Sequence, residues 1–372
     1  MTESVIFEEC PNGLAVVTID RPKALNAVNV KMVGELREAV AKCQASESVK
    51  AVLFQGAGEK GFCSGGDVKA LHPLLVADAA TDVPKDQMYQ EYNCIFEMRQ
   101  LTKPSVSLVH GITMGCGLGL GTSSTYAVAT EKSRLAMPEN NIGLFPDAGF
   151  AYLAANVMPK GLGRLMALTG CHLIGAGDAL AAKLASHFVP MEKLPAVVEA
   201  LKAADFSGEV SEALKKCLDG LAEAPPPPKL LVDGCTLPEK FAEVKSVPDA
   251  LDLLKAEAEA GGWAAELLPS MQKGCPFSQV VVLRLMQLAE ADAAAGRAEP
   301  GRTGTALERD FAVACRVMYR PDFVEGLRAV LVDKDNAAKW QPAELSAVDE
   351  TQVAEAVAPL VEGARRLGVP DV

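Results

Sequence analysis

The chain of 372 residues contains no stretch of eighteen or so apolar residues, so it offers no candidate for a membrane-spanning helix. Positive charge is in short supply: 36 Lys and Arg against 48 Asp and Glu leave a formal net charge of −12. That balance speaks against nucleic acid or an anionic membrane as partner, because both demand a wide positive field. An anionic small molecule needs only a few local cations and stays open. Histidine is scarce: His72, His110, His172 and His187 lie far apart with no H-E-x-x-H, and the ten cysteines include no C-x-x-C pair. No metal is expected from such a pattern, and thiols scattered singly from Cys10 to Cys315 read as free in a reducing compartment. Met1 to Glu9 lacks the basic and apolar regions of a secretory signal and the Arg-rich character of a transit peptide. The expectation is a protein that is not secreted and shows no targeting segment. No G-x-S-x-G elbow surrounds any serine, which removes the usual α/β Ser-His-Asp hydrolase.

What is present is the composition of a folded chain, 49% hydrophobic and 23% charged. Its length exceeds the size at which one core stops growing, so a main domain with a smaller second unit is expected. Ser4 to Glu9 and Leu14 to Ile19 flank Pro11-Asn12-Gly13, a hairpin signal. Val33, Leu36, Val40 and Cys43 recur at helical spacing behind a capping Asn29, and the apolar run Ala51 to Phe54 predicts a buried strand. The cycle repeats, with Met88, Tyr92, Ile95 and Met98 marking a helix and Ser105 to Val109 the next strand. Tyr126 to Thr130 and Arg134 to Met137 are two further short strands, after which the pattern is mostly helical. Alternation of this kind predicts an α/β fold. The run Pro225 to Pro228 is extended and joins a core poorly. It divides the chain into an α/β core over 1–205, a Pro-rich linker region over 206–245 and a C-terminal helical region over 246–372.

Three segments are able to carry chemistry. Gly61-Phe62-Cys63-Ser64-Gly65-Gly66-Asp67 follows a predicted strand, and its paired glycines let a backbone N–H approach a ligand oxygen, although a tight loop explains them equally. His110 to Gly119 is glycine-rich and opens a helix, where free N–H groups attract negative charge. The dinucleotide spacing G-x-G-x-x-G fails there: counted from Gly115 the last position is Leu120, and from Gly117 it is Thr122. Cys116 near His110 invites a thiol nucleophile, but a small residue in a glycine turn is the simpler reading. Met137 to Asp147 sets two carboxylates, Glu139 and Asp147, in an apolar stretch where desolvation separates pKa values. Asp147 before Ala148-Gly149-Phe150 also fits a helix N-cap.

In this order the three segments resemble the crotonase (enoyl-CoA hydratase/isomerase) superfamily, and more closely its 3-hydroxyisobutyryl-CoA hydrolase branch. Supporting stretches are Arg21-Pro22-Lys23-Ala24-Leu25-Asn26-Ala27, Glu91-Tyr92, Ala136-Met137-Pro138-Glu139, Gly143-Leu144-Phe145-Pro146-Asp147 and Gly326 through Asp335. The resemblance implies a spiral of ββα turns followed by helices. It also implies a backbone oxyanion hole at Gly66 and Cys116, flanked by Gly65, Asp67 and Gly115 along the substrate. Glu139 would attack the thioester carbon or activate water, Asp147 would meet the substrate hydroxyl or the reacting water, and Glu91 would orient the acyl group. Lys23, Ala24 and Leu25 would meet the coenzyme A nucleotide. The implied reaction turns 3-hydroxyisobutyryl-CoA and water into 3-hydroxyisobutyrate and CoA in valine catabolism. It needs no cofactor, coenzyme A being part of the substrate. A homo-oligomer is compatible with this reading, in the mitochondrial matrix of a eukaryote or the cytoplasm of a bacterium.

Two departures are visible. The family usually has three glycines where this chain has Gly115-Cys116-Gly117, so a positive φ at the middle position would strain the cysteine. Related hydratases carry two glutamates, and Gly119 stands at the first of those positions with Glu139 at the second. One carboxylate suffices for hydrolysis, whereas adding water across a double bond uses both. The alternatives are a hydratase or isomerase working with one glutamate, and a non-catalytic acyl-CoA-binding subunit.

Overall fold

A computed structural model describes residues 4–232, 235–296 and 303–367. Six strands form the larger sheet and four the smaller one. In chain order they are β1 (Ser4–Glu9), β2 (Leu14–Asp20), β3 (Ala51–Gly56), β4 (Gly61–Cys63), β5 (Ser105–Leu108), β6 (Ile112–Met114), β7 (Tyr126–Ala129), β8 (Arg134–Ala136), β9 (Leu173–Ile174) and β10 (His187–Phe188). The larger sheet runs β1-β2-β3-β5-β7-β10, parallel throughout except for the β1–β2 hairpin, and the smaller runs β4-β6-β8-β9. Each of β3, β5 and β7 leads directly into a strand of the smaller sheet, and after β4 and β6 the chain turns helical. The chain is therefore α/β, a spiral of ββα turns followed by helices.

Local chemistry accounts for these elements. Gly13 closes the hairpin at φ +89°, and a Cβ there would also lie 2.7 Å from the Ser48 carbonyl oxygen, so only glycine fits. Asn29 caps the helix Val30–Ala45 by accepting the Met32 N–H at 3.0 Å, and Val33, Leu36, Val40 and Cys43 are all buried on one face. Leu53, Val106 and Val128 of the central strands share a core with Leu194, Val197 and Leu201 of one helix and with Leu214 and Leu218 of another. The short strands β4, β6, β9 and β10 were not legible in the sequence, because two or three residues display no alternation.

The chain forms two compact units, each assembled from three stretches. The first comprises Met1–Gly66, Asn93–Leu135 and Leu173–Asp233 and holds both sheets; the second comprises Asp67–Tyr92, Ala136–His172 and Gly234–Val372 and is helical. In the helical unit the helix Pro276–Ala294 packs on Phe150–Asn156 and Leu162–Thr169. Buried Arg164 ties that group together, pairing with Glu290 and donating to the Ala242 and Val244 carbonyls.

The stretch 206–232, within the region read from sequence as a linker, belongs to the sheet-bearing unit. Its helix Val210–Asp219 covers the larger sheet through Leu214 and Leu218. The proline run lies against Gly177, where a Cβ would come within 2.4 Å of the Pro226 carbonyl oxygen. Buried Asp178 then accepts the N–H groups of Lys229, Leu230 and Leu231 on one oxygen and that of Ile174 on the other. Asp178→Ala is expected to destabilise the protein by roughly 3 kcal/mol, since each buried N–H left unpaired costs about 1–3 kcal/mol. A urea midpoint equal to that of wild type would refute this anchoring role.

Candidate active site

In the sheet-bearing unit two glycine loops run side by side. Leu25 and Asn26 are both left-handed, at φ +54° and +57°, an uncommon conformation for consecutive non-glycine residues. Asn26 holds this turn from within: its Oδ1 accepts the Arg21 N–H at 2.9 Å, and its Nδ2 donates to Ala57 O at 3.0 Å and Gly61 O at 2.8 Å. Leu25 O accepts the Ser64 N–H at 3.0 Å and Gly65 O accepts the Val28 N–H at 2.9 Å, so Ala24-Leu25 and Gly65-Gly66 are fastened together. Lys23 is exposed beside them. Gly65 sits at φ +103°, where a Cβ would lie 3.0 Å from Met114 O and 3.6 Å from the Cys116 nitrogen. The Gly66 N–H meets no acceptor among the described residues, and Asp67, the first residue of the helical unit, precedes the short 3-10 turn Val68–Ala70.

The glycine-rich segment divides its labour residue by residue. Gly115 carries the positive φ, +54°, and precedes the helix Cys116–Gly121. Gly117 leaves no room for a side chain, since a Cβ would fall 2.1 Å from Cys63 O. Cys116 has no positive φ and opens the helix, so the backbone strain of a left-handed cysteine is absent. His110 is not a base for the thiol: its two ring nitrogens face Leu108 O at 3.2 Å and Gly58 O at 3.0 Å, and burial lowers its pKa.

The helical unit holds the carboxylates. Glu139 starts a 3-10 turn, Glu139–Ile142, and is 6% exposed, with Oε2 buried and without a hydrogen-bond partner. Burial, reinforced by the charge of Asp147, pushes its pKa well above the usual carboxylate range. Asp147, 4% exposed, is pushed up to about 6 by burial, opposed by the hydrogen bond that the Tyr92 hydroxyl donates to its Oδ2. Its side chain does not cap the following helix, as the sequence allowed: Gly149, at φ +79°, occupies the N-cap of Phe150–Asn156. Ala148 between them is also left-handed at φ +57°, and the Gly149 N–H is held by Asp310 Oδ2 at 2.8 Å. Glu91, next to Tyr92, is buried and accepts a hydrogen bond from Gln87 one helical turn earlier.

The structure thus gathers Glu139 and Asp147 with Tyr92, Asp310 and Glu91 in one unit, and Lys23, Ala24, Leu25, Gly65, Gly66, Gly115 and Cys116 in the other. Three contributors escaped the sequence reading. Asn26 stood within a recognised stretch without a role of its own, Tyr92 was read as marking a helix face, and Asp310 gave no signal inside an amphipathic helix. Among the described residues no group of three or more His, Cys, Asp or Glu is placed to hold a metal ion. Nor is any described helix long and apolar enough to cross a membrane. A buried carboxylate oxygen with no partner is costly to keep, and it suits proton abstraction or nucleophilic attack.

Comparison with known proteins places this geometry. The family model described as enoyl-CoA hydratase/isomerase matches residues 14–357. The chain is 33% identical over 353 residues to the mitochondrial 3-hydroxyisobutyryl-CoA hydrolase of Gallus gallus, covering 94% of this chain and 87% of that protein. It is 32% identical to 3-hydroxyisobutyryl-CoA hydrolase 1 of Arabidopsis thaliana, covering 95% and 91%. Among solved structures, a carnitinyl-CoA dehydratase from Mycobacterium thermoresistibile superposes with a TM-score of 0.85 at 31% identity, over 97% of this chain and 98% of that one. Matched along nearly all of its length in sequence and in fold, the chain belongs to the enoyl-CoA hydratase/isomerase family.

Proposed function

We propose that this chain is an acyl-coenzyme A thioester hydrolase that converts 3-hydroxyisobutyryl-CoA and water to 3-hydroxyisobutyrate and CoA. The observation that carries this reading is the lone Glu139 carboxylate, buried, with one oxygen unpartnered. The position where related hydratases carry their other glutamate is Gly119, which is buried inside a helix.

In this mechanism the thioester carbonyl oxygen takes hydrogen bonds from the Gly66 and Cys116 N–H groups. Negative charge grows on that oxygen as the carbon is attacked, and fixed donors stabilise it without rearranging. Glu139 either attacks the carbonyl carbon, giving an anhydride that water then opens, or takes a proton from the attacking water. In both routes the C–S bond breaks as the carbonyl re-forms. With direct water attack the sulfur takes the proton that Glu139 removed from water; with the anhydride it leaves as thiolate and is protonated by the water that opens the anhydride. Asp147 accepts a hydrogen bond from the substrate hydroxyl or the reacting water, and Glu91 orients the acyl group. Lys23 with the Ala24-Leu25 backbone meets the nucleotide, Gly65, Gly115 and Asp67 flank the acyl thioester, and no cofactor takes part. The hydrolase names of the chicken and Arabidopsis relatives support this reading, and the chicken protein is mitochondrial by name. The setting proposed for this chain is valine breakdown, in the mitochondrial matrix or the bacterial cytoplasm.

A second reading follows from the solved neighbour, a carnitinyl-CoA dehydratase: water addition to an enoyl-CoA with one carboxylate. A thiol-release assay on 3-hydroxyisobutyryl-CoA, run beside hydration of crotonyl-CoA, separates the two. Rapid thiol release with negligible hydration is expected, and hydration without thiol release would overturn the hydrolase reading. Asp147→Asn is expected to lower kcat by on the order of 10²-fold, the lower end of what one positioned acid–base group supplies. It should also erase the preference for hydroxylated over plain acyl chains.

A further inference from the structure

We propose that Tyr92 is a positioning residue for the reaction: its hydroxyl holds the Asp147 carboxylate in place and in the ionised, accepting form. This inference rests on the reading that Asp147 meets the substrate hydroxyl or the reacting water.

Tyr92 is fully buried on the helix Val83–Arg99, and its hydroxyl donates to Asp147 Oδ2. The rings of Tyr92 and Phe311 pack edge to face at 6.4 Å and 89°. The other groups around this contact are acidic. Glu139 comes from the 3-10 turn, Asp310 from the helix Thr303–Val317, and Glu91 from the same helix as Tyr92. Among the described residues no cation acts on Asp147, so the phenol is the one side-chain donor that opposes burial of its charge.

A tyrosine suits this task better than a lysine or arginine. A buried cation would clamp the carboxylate permanently ionised and far below neutral, with its lone pairs committed to the ion pair. A neutral phenol donates one hydrogen bond to one oxygen, Oδ2, and forms no ion pair. Burial and the surrounding carboxylates raise the pKa of Tyr92 well above the ordinary phenol value, so across the working range it is always the donor. The backbone is held from the other side, where Asp310 takes the Gly149 N–H at the end of the left-handed Ala148-Gly149 pair. Tyr92 fixes the carboxylate and Asp310 fixes the turn that carries it.

Tyr92→Phe keeps the ring and removes only the hydroxyl. The expected result is a fall in kcat of about tenfold with KM nearly unchanged, the size of one hydrogen bond to a charged group. The Asp147 carboxyl should also titrate about one pH unit higher, because its ionised form has lost its donor. The double variant Tyr92→Phe/Asp147→Asn should match Asp147→Asn alone. Phe311→Leu loosens the ring packing but keeps the hydroxyl, so it should lower the melting temperature and leave that titration where it is. A Tyr92→Phe protein in which Asp147 titrates as in wild type, or a Phe311→Leu protein in which it moves as far, overturns the inference.

The infrared carboxyl band of the unliganded protein gives a readout independent of substrate, with Asp147→Asn identifying the Asp147 component. That component should titrate at higher pH in Tyr92→Phe than in wild type. If no thioester is hydrolysed by wild type yet this band shifts, the functional reading falls and the positioning role stands. If thioester is hydrolysed and the band does not shift, the reverse holds.

Discussion

Glu139→Gln is expected to abolish thiol release almost completely while making the protein more stable at pH 8. The loss of rate should be on the order of 10²–10⁴, the contribution of a positioned acid–base group, and larger if the carboxylate is the nucleophile. Glutamine matches glutamate in shape, so substrate should still bind and KM should change little. The gain in stability follows from the direction of the pKa shift. Burial raises the pKa of Glu139 in the folded protein, and Asp147, which ionises first, raises it further. The folded state therefore keeps its proton to higher pH than the unfolded chain does. Relative to a neutral group, stability is intact below the unfolded carboxyl value near 4.5 and is lost as pH rises through the folded value. At pH 8 wild type carries that strain and the glutamine variant does not, a difference of about 1–2 kcal/mol of the kind seen when function and stability conflict. Near pH 4 the two should melt together. Full thiol release by Glu139→Gln would remove this residue from the chemistry altogether.

The second large effect concerns neighbouring positions in the glycine segment. Gly117→Ala forces a methyl group to 2.1 Å from Cys63 O and 2.8 Å from Cys63 C, and backbone atoms do not yield as the tip of a side chain would. Relief requires the end of β4 to part from the helix Cys116–Gly121, disturbing the spacing of the Gly66 and Cys116 N–H groups proposed as oxyanion donors. Loss of one donor costs about 10²–10³ in kcat, and overpacking of this kind costs about 1–3 kcal/mol of stability. Cys116→Ala and Cys116→Gly should stay within about threefold of wild type, since no positive φ and no thiol chemistry is required there. Steady-state kinetics on the three proteins decides the matter. A silent Gly117→Ala, or a dead Cys116→Ala, would mean that the side chain and not the backbone does the work.

That contrast also shows how far the sequence is readable. Long periodic elements announced themselves: the hairpin around Gly13, the Asn29-capped helix and the buried β3 and β5 all stand where pattern and capping put them. So did the three chemical segments, because glycine pairs and carboxylates in apolar surroundings are rare enough to notice. What lay hidden was anything set by a contact distant in sequence. Tyr92 has helical spacing and an apolar ring, and nothing local says that its hydroxyl meets a carboxylate 55 residues on. Asp178 looks like an ordinary helix residue until it takes three N–H groups from more than fifty positions away. The role of Cys116 turned on whether Gly115 or its neighbour carries the left-handed φ, which composition does not encode.

The interleaving of the two units has a consequence for how this polypeptide came to be and how it comes apart. The strand passes from one unit to the other at 66/67, 92/93, 135/136, 172/173 and 233/234, so no single break releases either as an intact piece. A fragment stopping at residue 205 would lack the helix Val210–Asp219, baring the face of the larger sheet that Leu214 and Leu218 shield from water. Such a chain must complete synthesis past Leu218 before the core of its sheet-bearing unit is closed.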